Sequence, residues 1–206
     1  MAEQLPFDLG HRQAFSRDDF WVSSCNAQAI AWLDRWPQWP SPLLVIQGPA
    51  GCGKSHLCHV FEQMTKGKAD IIDDADRQMG DAVFEEKLFH LYNRFTESSR
   101  HILMTGNLPP RNWPILLPDL KSRILSAPIV QVGAPDDQLM AVVLSKHFSD
   151  RQIFVPQEVI AFILSRIERS FAALRAVAQD IDRKAMTEKR AITLPLVRDV
   201  LQKKFV

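Results

Sequence analysis

Residues 48–55 read Gly-Pro-Ala-Gly-Cys-Gly-Lys-Ser, a complete GxxxxGK[ST] pattern. These residue types at this spacing suit a chain of phosphates. Backbone N–H groups can curl around a β-phosphate, the N-terminus of a following helix adds partial positive charge, and glycines permit dihedrals and close approaches that a Cβ would obstruct. The expected phosphate-side contacts are Gly48, Pro49, Ala50, Gly51, Cys52, Gly53, Lys54, Ser55 and His56, with Lys54 reaching the β- and γ-phosphates and Ser55 ligating Mg²⁺. A second signal follows in Ile71-Ile72-Asp73-Asp74. Two carboxylates at a strand end beside a phosphate loop divide the work: Asp73 on the metal side, Asp74 positioning or deprotonating the attacking water.

Other residues carry weaker signals. Thr105 and Asn107 follow an apolar run and could touch a γ-phosphate or the water, although Asn107 before Pro109-Pro110 equally reads as a turn. Arg123, after the short segment 119–122, is either a solvated helix end or an arginine presented across an interface to another molecule's phosphates. Phe20, Trp21 and Val22 form either one wall of an adenine pocket or a hydrophobic staple for the next helix. Trp36 and Trp39 read as packing residues.

The elements that must position these groups alternate. Compact apolar strands are expected at 43–47, 69–73, 101–105 and 128–132. Helices are expected at 25–36, capped by Ser23 or Ser24, at 54–64, and at 81–96 with Phe84, Leu88, Leu91 and Phe95 on one face. Beyond Pro135 only helical patterns occur, near 136–147, 156–167, 170–186 and 194–203. The expected fold class is α/β: a parallel sheet with its phosphate loop, then a small all-helical domain. The expected divisions are a lead-in over 1–19, the nucleotide domain over 20–133 and the helical domain over 134–206. Only 18 residues separate Lys54 from Asp73, room for one helix, a turn and one strand. Either the sheet has lost an edge strand or residues are absent from this stretch.

Composition narrows the class. The 206 residues include 46% hydrophobic and 24% charged side chains, enough to build a core, and the formal charge of +1 excludes a strongly basic nucleic-acid surface as an inference from overall charge, leaving local patches open. Charge is uneven, −3 over 1–156 and +4 over 157–206. No helix-turn-helix spacing is visible, so sequence-specific DNA binding is not expected. Three cysteines without a CxxC read as buried or incidental thiols in a reducing compartment. No apolar run approaches the roughly 18 residues needed to span a bilayer, and the first twenty residues are charged, which predicts a cytoplasmic protein. The segment Gln4-Leu5-Pro6-Phe7-Asp8-Leu9 sets apolar residues at alternate positions around a proline. It suits either recognition as an extended peptide or a strap on its own domain.

In chain order, Asp19 to Val22, Asn26, the loop Gly48 to Ser55 with His56-Leu57, Asp73-Asp74, the run 105–110, the run 120–123 and the region 180–183 resemble the AAA+ ATPases of the bacterial replication-initiator (DnaA) group. The resemblance is closer to its Hda-type regulatory branch. It implies a P-loop NTPase of AAA+ type with a helical lid, binding ADP or ATP with Mg²⁺. Asn107 would be the first sensor and Arg123 the arginine finger, while Gln4, Leu5, Pro6, Phe7, Asp8 and Leu9 would dock on the DNA polymerase sliding clamp. The implied partners are the replication initiator ATPase and the clamp, with a homo-oligomer allowed and nucleoid association through partners. The implied activity is negative regulation of initiation by promoting hydrolysis of initiator-bound ATP. An AAA+ loader or helper ATPase acting on a helicase or transposition partner, and a non-catalytic ADP-bound adaptor, are the alternatives. Two departures stand out: the family's further strand between Lys54 and Asp73 is missing, and Ala172 occupies the second-sensor position, with Arg169 and Arg175 one turn to either side.

Overall fold

The computed structural model describes residues 21–98 and 100–202. Phe20 and the segment Gln4 to Leu9 lie outside the described residues. The strongest apolar run, β1 (Leu43–Gln47), is central. It pairs in parallel with β3 (His101–Gly106) on one side and β4 (Ile129–Gln131) on the other, while β2 (Ala69–Ile72) pairs with β3, giving the order β2-β3-β1-β4. Leu44 registers with Leu103, and Ile72 with Met104. Burial of β3 throughout and of β1 up to Ile46 is what parallel strands covered on both faces require.

Side chains alternate between faces with period two, and each face has its own helices. Leu44, Ile46 and Leu103 pack with Ala29, Ile30 and Leu33 of α1 (Ala27–Asp34) and Leu57 and Phe61 of α2 (Lys54–Thr65). Leu43, Val45, Ile102 and Met104 pack with Leu88 and Phe95 of α3 (Ala82–Ser98) and Leu120 and Ile124 of α4 (Pro118–Ser126). Trp39 stacks on Phe61 at 5.2 Å with Trp36 edge-on to the same ring at 6.2 Å, so the tryptophan pair packs. All three cysteines are free, Cys52 and Cys58 being buried.

The helices α5 (Asp137–Ser149), α6 (Gln157–Leu164), α7 (Phe171–Glu188) and α8 (Leu194–Gln202) enclose a separate cluster, including Leu144, Phe148, Ile163, Ile181 and Leu196. Asp136 and Ser170 cap α5 and α7 by accepting from Leu139 N–H and Ala173 N–H.

Three local expectations are corrected. Neither Ser23 nor Ser24 caps α1: Asn26 occupies the N-cap, and its side chain turns backward, accepting from Ser23 N–H and donating to Trp21 O, so the helix starts at Ala27. β2 ends at Ile72 because Asp74 adopts a left-handed φ of 51°, a conformation aspartate tolerates but a strand does not. Arg123 lies inside a nine-residue helix, which Pro118 starts at a position where its missing N–H costs nothing. Between α2 and β2, Lys66 and Gly67 take positive φ and Lys68 N–H donates to Thr65 O, an unbroken turn into a four-stranded sheet.

Candidate nucleotide site

The loop joining β1 to α2 threads between the ends of its neighbouring strands. Gly48 N–H donates to Gly106 O, and a Cβ on Gly48 would lie 2.4 Å from Val132 O, so only glycine fits there. Gly51 has φ +74° and a Cβ there would meet the Ser170 Cβ at 2.8 Å. The start of α7 thus sits directly on the loop, and Phe171 N–H donates to Gly51 O at 2.9 Å.

Lys54 is 5% exposed, and Nζ donates to Gly48 O at 2.9 Å, Pro49 O at 3.0 Å and Asn107 Oδ1 at 3.0 Å. All three ammonium protons therefore have acceptors, which is how this buried charge is tolerated without a carboxylate. These weak neutral acceptors are ones that phosphate oxygens can replace with stronger charge-assisted bonds.

Asp73 and Asp74 have different surroundings. Thr105 Oγ1 donates to Asp73 Oδ1, as does the Cys58 thiol at 3.8 Å. Burial tends to raise the Asp73 carboxyl, but bonds from the Ser55 and Thr105 hydroxyls, the Asp74 N–H and Cys58 outweigh it and hold Asp73 below the usual carboxylate range. Burial first, then the neighbouring Asp73, pushes the Cys58 thiol up, so it remains a protonated donor. Asp74 N–H donates to Thr105 Oγ1 at 2.9 Å, its Oδ1 accepts from Asn107 Nδ2 at 3.4 Å, and its Oδ2 lies 3.4 Å from Arg77 Nη1. Lys54, Asn107 and Asp74 consequently form one chain of contacts.

Two unanticipated carboxylates hold this arrangement. Asp76 Oδ2 accepts from the N–H groups of Asn107 at 2.8 Å and Leu108 at 3.3 Å, fixing the loop after β3. Glu85, 1% exposed, accepts from Gly80, Leu116 and Leu117 N–H, tying α3 to the segment leading into α4. Burial opposes its ionisation, yet those backbone bonds leave its carboxyl below the ordinary glutamate value. Asp76 was within reach of sequence reasoning as the third aspartate of 73–76; Glu85 reads as an ordinary polar helix position.

The loop opens on a cavity of about 750 Å³, a size typical of ligand sites. Trp21 and the run Ala50 to His56 line it from the body, together with Asp74 and Asn107. Phe171, Ala172 and Arg175 line it from α7, and Val143, Lys146 and His147 from α5. Gly48 and Pro49 contribute through their carbonyls to Lys54 rather than as lining. Val22 is not in the lining; it packs against the α1–α2 side of the core. The two arginines flanking Ala172 separate: Arg169 is bonded to Asp137 at 3.0 Å, whereas Arg175 lines the cavity. Arg123 is not in the cavity lining. Its guanidinium lies over the rings of Phe89 and Tyr92, at 4.8 and 4.9 Å.

Ser55 lines the cavity and Asp73 lies outside the lining; the Ser55 hydroxyl helps hold the Asp73 carboxyl low, and a hydroxyl with a low-pKa carboxylate suits Mg²⁺. No group of three His, Cys, Asp or Glu side chains forms a metal cage among the described residues. A magnesium ion on a phosphate chain needs none, because phosphate and water supply its remaining oxygens. Among the described residues no helix is long and apolar enough to cross a membrane.

Residues 136–201 match the family model described as Hda, lid domain. Domain III of the Thermotoga maritima replication initiation protein DnaA superposes with a TM-score of 0.78 at 17% identity, covering 93% of this chain and 97% of that one. AMPPCP-bound DnaA from Aquifex aeolicus gives 0.68 at 15% identity, over 84% of this chain and 66% of that one. The Thermotoga maritima RuvB Holliday junction branch migration motor gives 0.60 at 13%, over 77% and 60%. This chain therefore spans less than two thirds of the latter two. Identities this low establish the fold. Over residues 136–201 the chain is thus similar to an Hda lid domain, and its parallel α/β body with a helical lid has the fold of DnaA domain III.

Proposed function

We propose that this protein binds an adenine nucleotide in the cavity beneath its lid and acts as a regulator of replication initiation. It would promote hydrolysis of initiator-bound ATP in company with the sliding clamp. The observation that carries the nucleotide reading is the contact chain Lys54 Nζ to Asn107 Oδ1 and Asn107 Nδ2 to Asp74 Oδ1, closed over by α7. Lys54 and the loop N–H groups would hold the β- and γ-phosphates. Ser55 and Asp73 would hold Mg²⁺, which neutralises phosphate charge when bound. Asp74, oriented by Asn107, would accept a proton from, or position, an attacking water. The domain divisions 1–19, 20–133 and 134–206 belong to this reading: clamp-binding lead-in, nucleotide domain and lid.

The position of Arg123 supports action on another molecule's nucleotide, since it is outside this chain's cavity and braced by two aromatic rings. Positive charge there would count most as charge shifts to the leaving group. Ala172 favours a second reading, nucleotide retention with little turnover by the protein itself, because a cationic side chain at that point of the lid is absent.

With ATP-loaded initiator and clamp, Arg123→Ala is expected to lower phosphate release by about a thousandfold, the lower end of the range for an arginine finger. Its own ADP affinity should stay within twofold of the parent. Phosphate release equal to the parent's would remove Arg123 from the mechanism, and ATP turnover by the protein alone would contradict the retention reading.

A further inference from the structure

Among the described residues the sheet is open along β2. Among these residues this strand pairs with β3 alone, all four of its residues are half-buried, and the turn at 66–68 enters it directly from α2, so no chain from that connection lies outside it. Alternate residues of an edge strand direct N–H and C=O outward, a ready template for another strand. Beside β2 lies a groove of about 550 Å³ formed with α3. Ile72, Phe84, Leu88 and Leu91 supply its apolar surface, and Lys87, His90 and Arg94 its polar part. None of these residues lines the nucleotide cavity.

The charges around the groove select among occupants. His90 lies 3.8 Å from Glu86, while Lys87 and Arg94, both exposed, have no ion-pair partner among the described residues. A second copy offering its own β2 would bring two sets of these cations toward each other, and like charges across an interface oppose association. An extended segment bearing acidic residues meets no such penalty.

We propose that the β2 edge accepts an extended acidic segment of a protein partner as a fifth strand, whose groove-facing side chains are apolar against Ile72, Leu88 and Leu91 and acidic where they reach Lys87 and Arg94 on the same face. Backbone bonds to β2 would provide register, the groove would take alternate side chains, and the two cations would set the sign of charge accepted. The proposal is independent of the nucleotide reading, because the groove and the cavity share no lining residue.

The test uses the full chain and two fluorescein-labelled decapeptides with threonine at every second position, the intervening positions of one face being valine and glutamate in turn in one peptide and valine and lysine in turn in the other. By anisotropy the glutamate peptide is expected to bind about tenfold more tightly than the lysine peptide, as charge complementarity requires. Hydrogen exchange at the amides of residues 69–72 should slow when it binds. The double variant Lys87→Glu/Arg94→Glu should reverse the preference while retaining parental ADP affinity, which separates a lost site from a lost fold. Equal binding of both peptides, an unreversed preference, or binding without protection of 69–72 would overturn the proposal. So would protection of these amides in the unliganded chain that rises with protein concentration, which would place a second copy there. Protection that disappears on removal of residues 1–20 would place this chain's own amino-terminal segment there and overturn it equally.

Discussion

On the sheet side of the cavity, Lys54, Asn107, Asp74, Asp73, Thr105 and Asp76 are joined by hydrogen bonds, so each polar group is oriented by another before any ligand arrives. On the lid side, α7 meets the loop through Phe171 N–H to Gly51 O and through van der Waals contact of Ser170 and Phe171 with Gly51 and Gly53. The lid's apolar cluster is its own, distinct from the two that sandwich the sheet. This contrast assigns different tasks to the two sides. On the proposed nucleotide reading, the preorganised polar network would fix phosphate geometry and the packed lid would govern how long a nucleotide stays.

The largest effect is expected where the polar scaffold is buried most deeply. Glu85→Gln would turn an amide NH₂ toward N–H donors now bonded to carboxylate, at a cost of about 1 to 3 kcal/mol for each one left unpaired. Thermal melts at pH 7 should show a substantially lower Tm. The sign with pH follows from the lowered folded-state value of this carboxyl. Its contribution is present above the unfolded value near 4.5 and is lost as pH falls through the lower folded value, so the gap between parent and variant should narrow on acidification below about pH 4.5. A gap that widens there would contradict the assignment.

A middle-sized effect tests the lid. Phe171→Ala removes the ring facing Gly53 but leaves the backbone bond to Gly51, so ADP dissociation should quicken by about tenfold, corresponding to about 1.4 kcal/mol. Stopped-flow displacement of a fluorescent ADP analogue measures this, and an unchanged off-rate would mean that the lid does not retain nucleotide. The smallest effect separates two neighbours on that same side. Arg175→Ala should weaken ADP binding by about fivefold through loss of one exposed cation from the cavity lining, while Arg169→Ala, whose partner is Asp137, should change it less than twofold. Calorimetric titration of both variants distinguishes them, and the reverse ranking would exchange their roles.

The polar side of the site was the more legible in the sequence, for a physical reason. The loop Gly48 to Ser55 and the pair Asp73-Asp74 are marked by residue types at fixed short spacing, and Thr105 and Asn107 follow a recognisable strand. The supports were less legible because they act across long separations: Glu85 reaches N–H groups 31 and 32 residues away, and Asp76 reaches the Asn107 N–H at a separation of 31. The seat of Phe171 on Gly51 joins residues that only the fold brings together. Local competition explains the helix start. Ser23 and Ser24 both suit a cap by type, but Asn26 takes the N-cap position and uses its side chain to hold Trp21 and Ser23 instead. The parallel strands end within a residue or so of their expected bounds, whereas the helix that carries Arg123 is opened by Pro118, a residue type that marks turns as readily as helix starts.

The central claim is that this polar network is a phosphate site. Calorimetric titration of the full chain with ADP and Mg²⁺, compared with Lys54→Ala, tests it most directly. The account predicts a one-to-one complex for the parent and an affinity weaker by about 1.5 to 3 kcal/mol for the variant, roughly ten- to more than a hundredfold, with circular dichroism showing both folded. Equal affinity in the two proteins, or no heat of binding in the parent at millimolar ADP, would contradict it.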